Sequence, residues 1–466
     1  MPDCAASVAR PHDVACGFES FADMLCAYGD LGDESDVEAA QRERFATLDE
    51  LKSMSASYAS TAAATQRRRR SHYAECNAVP EPVWRVDDSR ATLQMHDATS
   101  RFALPLPVDI AAPRRPGDSL RSEQRRWASE LLQSSRGALR NRWIYFMGDS
   151  TMRQHYGFLL NELHRQSRMQ RTQASHTTIS FDKLKAITRG QLRYTEGPNA
   201  TVSMCRSLRQ PMHWEYRYPG PVYGDNEMTT TFRLPTANLT LTFDWKMHIF
   251  RRYDRWLVAR RFSQGAPDVL VVSAGMHDCF WNESRALGAE YHKEETRVLL
   301  AFLAASLPRS TALLWVSTQV SIGPFSGDTL PIVDRADDNE ARRRYSAFFR
   351  GDTAARLRCV RAVNQAAATA SREEGWFAYV DRERMTHALA SFALHGHPPP
   401  DCADRGCADD FESSGPWWFP NGSDTTANTR ARLLTRDGVH YSEDNNVFAT
   451  LDHYLRSALG CVLSRM

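Results

Sequence analysis

Short apolar runs alternate with helical patterns along the second two-thirds of the chain. Four runs have the length and the continuous apolar character of buried strands: RWIYFMG, PDVLVVSAG, TALLWVSTQV and WFAYVD. Apolar residues recur at helical spacing in three longer segments: EETRVLLAFLAASL, AARLRCVRAVNQAAATASREEG and SEDNNVFATLDHYLRSALGCVL. This alternation predicts an α/β fold with a mostly parallel central sheet.

Three parts of the chain differ in pattern. Residues 1–75 form a predicted extension, in which ESDVEAAQRERFATLDELKSM favours a helix and the small, polar SASYASTAAATQ favours a linker. Residues 76–138 contain the Pro-rich ALPLPVDIAAPRRPGD and are predicted to be an irregular lead-in. Residues 139–466 form the predicted main domain. Within it, residues 199–262 favour strands, and Ser442 is the predicted N-cap of the last helix.

Composition excludes some classes of function. The chain has 466 residues and a net charge of +2, so its bulk charge does not indicate nucleic-acid binding. No apolar stretch approaches the roughly 18 residues needed to span a bilayer, so no transmembrane segment is predicted.

The compartment stays open from sequence. The N-terminal MPDCAASVARPHDVACGF lacks an apolar core of signal-peptide length, which favours the cytoplasm. Four N-x-S/T sequons favour the secretory pathway; they begin at Asn199, Asn238, Asn282 and Asn421.

The ten cysteines are scattered and include no CxxC pair, so no zinc site is predicted. Disulfides and buried thiols remain equally consistent with this pattern. The same alternatives hold for Cys402 and Cys407, which flank a four-residue segment.

Polar side chains follow the predicted strands at the points where the strands end. Ser150 comes after the first strand, His277 after the second, and Asp381 after a later one. The carboxyl ends of parallel strands meet at one edge of a sheet, and ligands bind beyond that edge. Asp437 and His440 stand just before the last helix.

These residues include the three types that a serine nucleophile needs. A serine hydroxyl requires a histidine to take its proton and a carboxylate to orient that histidine. Ser150, His440 and Asp437 supply the set. Ser150 would also stand at a helix N-terminus, where N–H groups and the helix dipole stabilise an oxyanion.

The longer motif strings resemble the SGNH/GDSL hydrolases, and within them the PC-esterase branch. The blocks are FMGDSTMRQ, PDVLVVSAGMHDCFW, FAYVDRERMT and RDGVHYSEDNNVFATLDHYL, in this order across residues 139–466. That branch includes the trichome-birefringence-like proteins, the NXPE-type proteins and the luminal domain of sialate O-acetyltransferase. The resemblance implies a three-layer α/β/α sandwich around the mostly parallel sheet.

The resemblance also implies roles for single residues. Ser150 would be the nucleophile, with its N–H as one oxyanion donor, His440 the general base and Asp437 its orienting acid. Asp149 would be a structural member of the turn. Arg153 matches the arginine of GDSxxRQ and would position the turn or the acyl oxygen.

The second block departs from the SGNH pattern. SGNH enzymes have an asparagine in a GxND block, whereas this chain has Gly275-Met276-His277-Asp278. His277 would therefore stand in the place of that oxyanion donor. Gly220 and Gly224 are the candidates for the glycine donor of the family.

Each candidate residue also has a plain structural interpretation. Ser150 is suited to cap a helix, and Asp437 and His440 are suited to an Asx-turn and a packed core histidine. His277 is suited to local packing, and Arg153 to a solvated helix surface. The aromatic run Trp417-Trp418-Phe419 fits either a sugar platform or loop packing.

The resemblance implies a serine esterase-type enzyme that moves or removes an O-acyl group, acetyl by analogy, on a carbohydrate. It would be an O-acyltransferase or an acylesterase, with a glycan acceptor, a small acyl donor and no metal or other cofactor. A non-catalytic glycan-binding or scaffold protein on the same fold is the alternative. A metal-dependent phosphoesterase is disfavoured, because the GMHD string lacks the companion DxH and GDxxD boxes.

Overall fold

The computed structural model of the chain describes residues 46–66, 72–78, 80–87, 90–97, 137–169, 194–196, 200–204, 230–234, 237–246, 248–250, 258, 262, 265–280, 285–320, 353–395, 441 and 446–466. The helices in these ranges are α1 (Leu48–Gln66), α2 (Ser150–Met169), α3 (Met276–Phe280), α4 (Ala289–Ser306), α5 (Thr353–Glu374), α6 (Arg382–His395) and α7 (Asn446–Ser464). The strands are β1 (Pro80–Asp87), β2 (Arg90–Asp97), β3 (Trp143–Gly148), β4 (Tyr194–Glu196), β5 (Ala200–Met204), β6 (Thr230–Leu234), β7 (Leu239–Trp245), β8 (Val269–Val272), β9 (Ala312–Val316) and β10 (Phe377–Val380).

Eight of these strands form one sheet, in the order β10-β9-β8-β3-β7-β6-β5-β4. The five strands from β10 to β7 are all parallel to their neighbours. The three remaining pairings, from β7 to β4, are antiparallel. The prediction of a mostly parallel α/β sheet is therefore confirmed for the five-strand part, which is flanked by helices.

Two apolar cores lie on the two faces of the sheet, because successive side chains of a strand point to opposite faces. In β3, Ile144 and Phe146 join a cluster with residues of α2 and α7. Tyr145 and Met147 join a second cluster with residues of α1, α4 and α5. The central strands are buried on both faces, which explains why their sequences read as unbroken apolar runs.

Helix α1 continues through the segment that the sequence predicts to be a linker. The ring of Tyr58 packs edge-on against Phe302 of α4, with centroids 5.3 Å apart. Leu51 and Ala62 are also buried on this side of the helix. The linker interpretation of residues 55–66 is thus wrong. These alanine and serine residues belong to a helix that packs against α4.

A β-hairpin lies inside the segment that the sequence predicts to be irregular. Strands β1 and β2 pair antiparallel, and Asp87 pairs with Arg90 at the turn. The next residues along the chain that the structure describes begin at 137, so the Pro-rich stretch lies outside the described part.

Two disulfides decide between the alternatives that the sequence left open for four cysteines. Cys76 bonds to Cys461, which is 385 residues away in the sequence. This bond joins the segment before β1 to α7. Cys279 bonds to Cys359, 80 residues apart, and joins α3 to α5. Cys402 and Cys407 lie outside the described residues.

Among the described helices, none has the length and apolar character to cross a membrane. The sequon residue Asn238 is exposed at the turn before β7. The other three sequon asparagines and Ser442 lie outside the described residues.

Removing either disulfide should lower the free energy of unfolding, by about 2–5 kcal/mol for a native disulfide. Because loop-closure entropy grows with loop length, the double variant C76A/C461A should lose about 1.4 kcal/mol more than C279A/C359A from this term. Urea denaturation of both variants and of the oxidised parent measures the difference. An equal or larger loss in C279A/C359A would contradict the prediction.

Candidate active site

Asp149, rather than Ser150, caps the helix that follows β3. Its carboxylate accepts hydrogen bonds from the Thr151 N–H (2.8 Å) and the Thr151 hydroxyl (2.7 Å). Its carbonyl accepts the first helical bond, from the Arg153 N–H (3.0 Å). The N-cap interpretation of Ser150 is therefore wrong. Ser150 is the first residue of α2, is only half-buried, and its hydroxyl bonds to no other described residue.

Gly148 lets the turn pack closely against the neighbouring strand end. A Cβ atom at this position would lie 2.6 Å from the Met152 Cβ and 3.2 Å from the Ser273 carbonyl oxygen. The first distance is shorter than real Cβ contacts, and the second is tighter than most of them. Glycine is therefore required where the first strand turns into the helix of Ser150.

Arg382 links the ends of three adjacent strands, and sequence reasoning missed it. Its Nη2 donates to the hydroxyls of Thr151 (3.1 Å) and Ser273 (3.3 Å), which follow β3 and β8. Its Nε donates to the Ser317 carbonyl (3.0 Å), which follows β9. The side chain is buried, and Thr151 connects it to the carboxylate of Asp149.

The charge of Arg382 is retained at neutral pH. Burial lowers the pKa of Arg382 to about 10, while the nearby Asp149 acts in the opposite direction. A guanidinium with this pKa stays protonated at pH 7. The Arg382 cation therefore contributes positive charge close to the turn of Ser150.

The end of β8 carries the second predicted block. The Ser273 N–H donates to the Met147 carbonyl (2.9 Å), so this block continues directly beside the Ser150 turn. Gly275 has φ +111°, and a Cβ there would lie 3.0 Å from Val363 Cγ1, so both conformation and space require glycine. His277 is buried in α3. This explains Gly275 as a structural glycine.

The motif with His440 meets the helix of Ser150 through its next residue. The Gln154 amide donates to the Tyr441 carbonyl (2.8 Å), across 287 residues of sequence. The Tyr441 hydroxyl donates to the carbonyls of Val320 (2.9 Å) and Thr386 (3.3 Å). Tyr441 is buried and is thus fixed at this edge of the sheet from two sides.

Helix α7 packs against α2, the helix that begins at Ser150. His155 stacks on Phe448, with ring centroids 4.7 Å apart, and its Nδ1 lies 3.4 Å from Asp452 Oδ1. Asp452 also forms an ion pair with Arg456. Burial lowers the pKa of His155, so the imidazole is held neutral at pH 7. Arg153, two residues earlier, is buried rather than solvated.

A second polar network holds the ends of β9 and β10. The Asn364 side chain accepts from the Thr318 N–H (2.8 Å) and donates to the Thr318 carbonyl (2.9 Å) and to Glu383 Oε2 (2.8 Å). Burial raises the pKa of Glu383 to about 7, and Asp381 adds to the effect. Burial likewise raises the pKa of Asp381.

Several predicted residues lie outside the described part of the chain. Asp437 and His440 are two of them, so their distances to Ser150 are not defined. The glycine candidates Gly220 and Gly224 and the aromatic run at 417–419 are the others. Asp149 and Ser150 follow β3, and Gly275 and His277 follow the adjacent β8; the structure adds Arg382, Gln154 and Tyr441 to this edge of the sheet.

No protein-family model, no curated protein and no solved structure matches the chain. The residues and their geometry therefore carry the functional conclusion.

Replacing Thr151 by valine should destabilise the protein by about 1–3 kcal/mol, because it removes the hydroxyl between the buried Arg382 guanidinium and Asp149. Thr151→Ser keeps that hydroxyl and should recover most of the loss. Urea denaturation of the two variants tests this. Equal stability of the valine and serine variants would refute the role of the hydroxyl.

Replacing Glu383 by glutamine should stabilise the protein more at pH 8 than at pH 5. The folded pKa of about 7 lies above the reference value of 4.5, so ionisation of Glu383 costs stability as the pH rises through this window. Glutamine does not titrate and can still accept from Asn364. Denaturation at both pH values measures the difference, with Glu373→Gln, an exposed carboxylate, for comparison. A gain at pH 5 as large as that at pH 8 would count against this prediction.

Proposed function

We propose that the protein is a serine esterase-type enzyme that transfers or hydrolyses an O-acyl group through an acyl-enzyme on Ser150. One contact supports this most strongly. Gln154, four residues after Ser150, holds the backbone of Tyr441, the residue that follows His440. Consecutive Cα atoms are about 3.8 Å apart, so we expect the general base to approach the nucleophile from this point.

The environment of Ser150 suits a nucleophile. Asp149 satisfies the capping requirement of the helix, so the Ser150 hydroxyl is not needed for that purpose. The first turn of a helix offers N–H groups and a positive dipole end to a developing oxyanion. Arg153 and His277 are buried at the same edge of the sheet, as a positioning role would require.

The proposed first step forms the acyl-enzyme. Ser150 Oγ attacks the carbonyl carbon of the acyl donor while His440 takes the hydroxyl proton and Asp437 orients the imidazole. The leaving alcohol receives this proton as its bond to the acyl carbon breaks. The acyl group then remains on Ser150 as an ester.

The second step releases the acyl group. A carbohydrate hydroxyl or a water molecule attacks the ester carbon and gives its proton to His440. Ser150 leaves and recovers a proton from the imidazole. Transfer and hydrolysis differ only in this attacking oxygen. The carbohydrate, the acetyl group and the roles of Asp437 and His440 come from the motif resemblance.

A fluorophosphonate probe should label Ser150 of the folded protein, as mass spectrometry of the labelled peptide would show. Ser150→Ala and His440→Gln should each lower hydrolysis of a small aryl acetate by about 10⁴- to 10⁶-fold, as loss of a triad member does. Ser60→Ala, which alters an exposed serine on α1, should keep the parent rate.

The opposite results are equally informative. Turnover that persists in Ser150→Ala would refute the proposed nucleophile. A folded parent protein that neither reacts with the probe nor hydrolyses the ester would favour a non-catalytic glycan-binding protein on this fold.

A further inference from the structure

Three buried side chains with metal-ligand chemistry converge between α3 and α4. Asp278 belongs to α3, and His292 and Glu295 lie one helical turn apart on α4. One donor atom from each lies within 4.8 Å of the donors of the other two. None of the three side chains belongs to the proposed triad.

We propose that Asp278, His292 and Glu295 bind a divalent transition-metal ion. One imidazole nitrogen and two carboxylate oxygens suit zinc or manganese, whereas magnesium and calcium prefer oxygen ligands alone. This proposal does not rest on the esterase function.

The spacing fits a single ion. Ligand bonds of 2.0–2.2 Å at tetrahedral angles place two donors about 3.4 Å apart. His292 Nδ1 and Glu295 Oε2 are already 2.9 Å apart. The donors of this set therefore reach one ion by side-chain shifts of about 1 Å or less.

A surrounding shell already orients Asp278. His248 Nδ1 lies 2.7 Å from Asp278 Oδ1, and the Ile249 N–H donates to Asp278 Oδ2 (2.9 Å). Each carboxylate oxygen can accept more than one partner, so these contacts leave room for a metal bond. In many metal sites, hydrogen bonds from residues outside the ligand set fix the orientation of the metal-binding side chains in this way.

All three proposed ligands are buried. The relative exposure is 0% for Asp278, 0% for His292 and 1% for Glu295. Buried charges in proteins are paired or coordinate metals. The competing arrangement is two histidine–carboxylate contacts without a metal, His248 with Asp278 and His292 with Glu295. The two arrangements differ in metal content.

The ion would join three separate segments. It would connect α3, which carries His277, to α4 and, through His248, to residues 248–250. The disulfide Cys279–Cys359 already ties α3 to α5. The metal would therefore attach α3 to α4 and to residues 248–250, in addition to the disulfide link between α3 and α5.

Metal analysis of the full chain, purified without metal-affinity chromatography, tests the proposal. We expect about one zinc or manganese ion per chain by elemental mass spectrometry. Chelator treatment should lower the melting temperature, and added zinc or manganese should restore it. No activity measurement is required.

A matched pair of variants identifies the ligands. Glu295→Gln should lose the ion, whereas Glu294→Gln should keep it, because Glu294 is a neighbouring buried carboxylate that pairs with Arg297 instead. His292→Gln should behave as Glu295→Gln does. Equal metal loss, or equal retention, in Glu294→Gln and Glu295→Gln would overturn the assignment.

The parent protein alone can also refute the site, even if a variant fails to fold. Metal far below one ion per chain, together with no change in melting temperature on adding either ion, would assign the cluster to two histidine–carboxylate contacts without a metal.

Discussion

The guanidinium of Arg382 holds together the edge of the sheet on which the proposed site depends. It bonds to Ser317, Ser273 and Thr151, which follow three adjacent strands. A buried arginine loses its hydration, and this loss is offset only when its donors find acceptors. The Thr151 hydroxyl, which accepts from Arg382, donates to Asp149, so the cation also fixes the turn that carries Ser150. The positions of the strand ends are thereby coupled to one another.

Much of the fold could be predicted because the central strands are buried on both faces. Their unbroken apolar runs and the helices between them leave few alternatives to a parallel sheet. The error at residues 55–66 has a physical cause. Alanine and serine are small and polar enough to suggest a linker, yet alanine is the best helix former, and Tyr58 gives this helix its contact with Phe302. That contact joins residues 244 positions apart in the sequence.

The sequence predicts candidate residues that lie at the ends of strands. It does not predict those that reach the same place through contacts between distant segments. Ser150 and His277 stand at strand ends, and the strand-end rule finds them. Arg382 looks like a solvated charge at the start of a helix, and only the order of the strands brings it under the turn. The contact of Gln154 with Tyr441 likewise depends on packing between distant segments.

Helix α7 supplies part of the core, the partner of Cys76 and the neighbours of the Ser150 helix, although it lies at the far end of the described chain. Ribosomes add about 5–20 residues per second, so Cys461 follows Cys76 by about 20–80 s. Helix α2 and the sheet strands are made before α7, so the α7 part of this core is the last to be added. The described domain can therefore close this core and form its longer-range disulfide only after α7 has been synthesised.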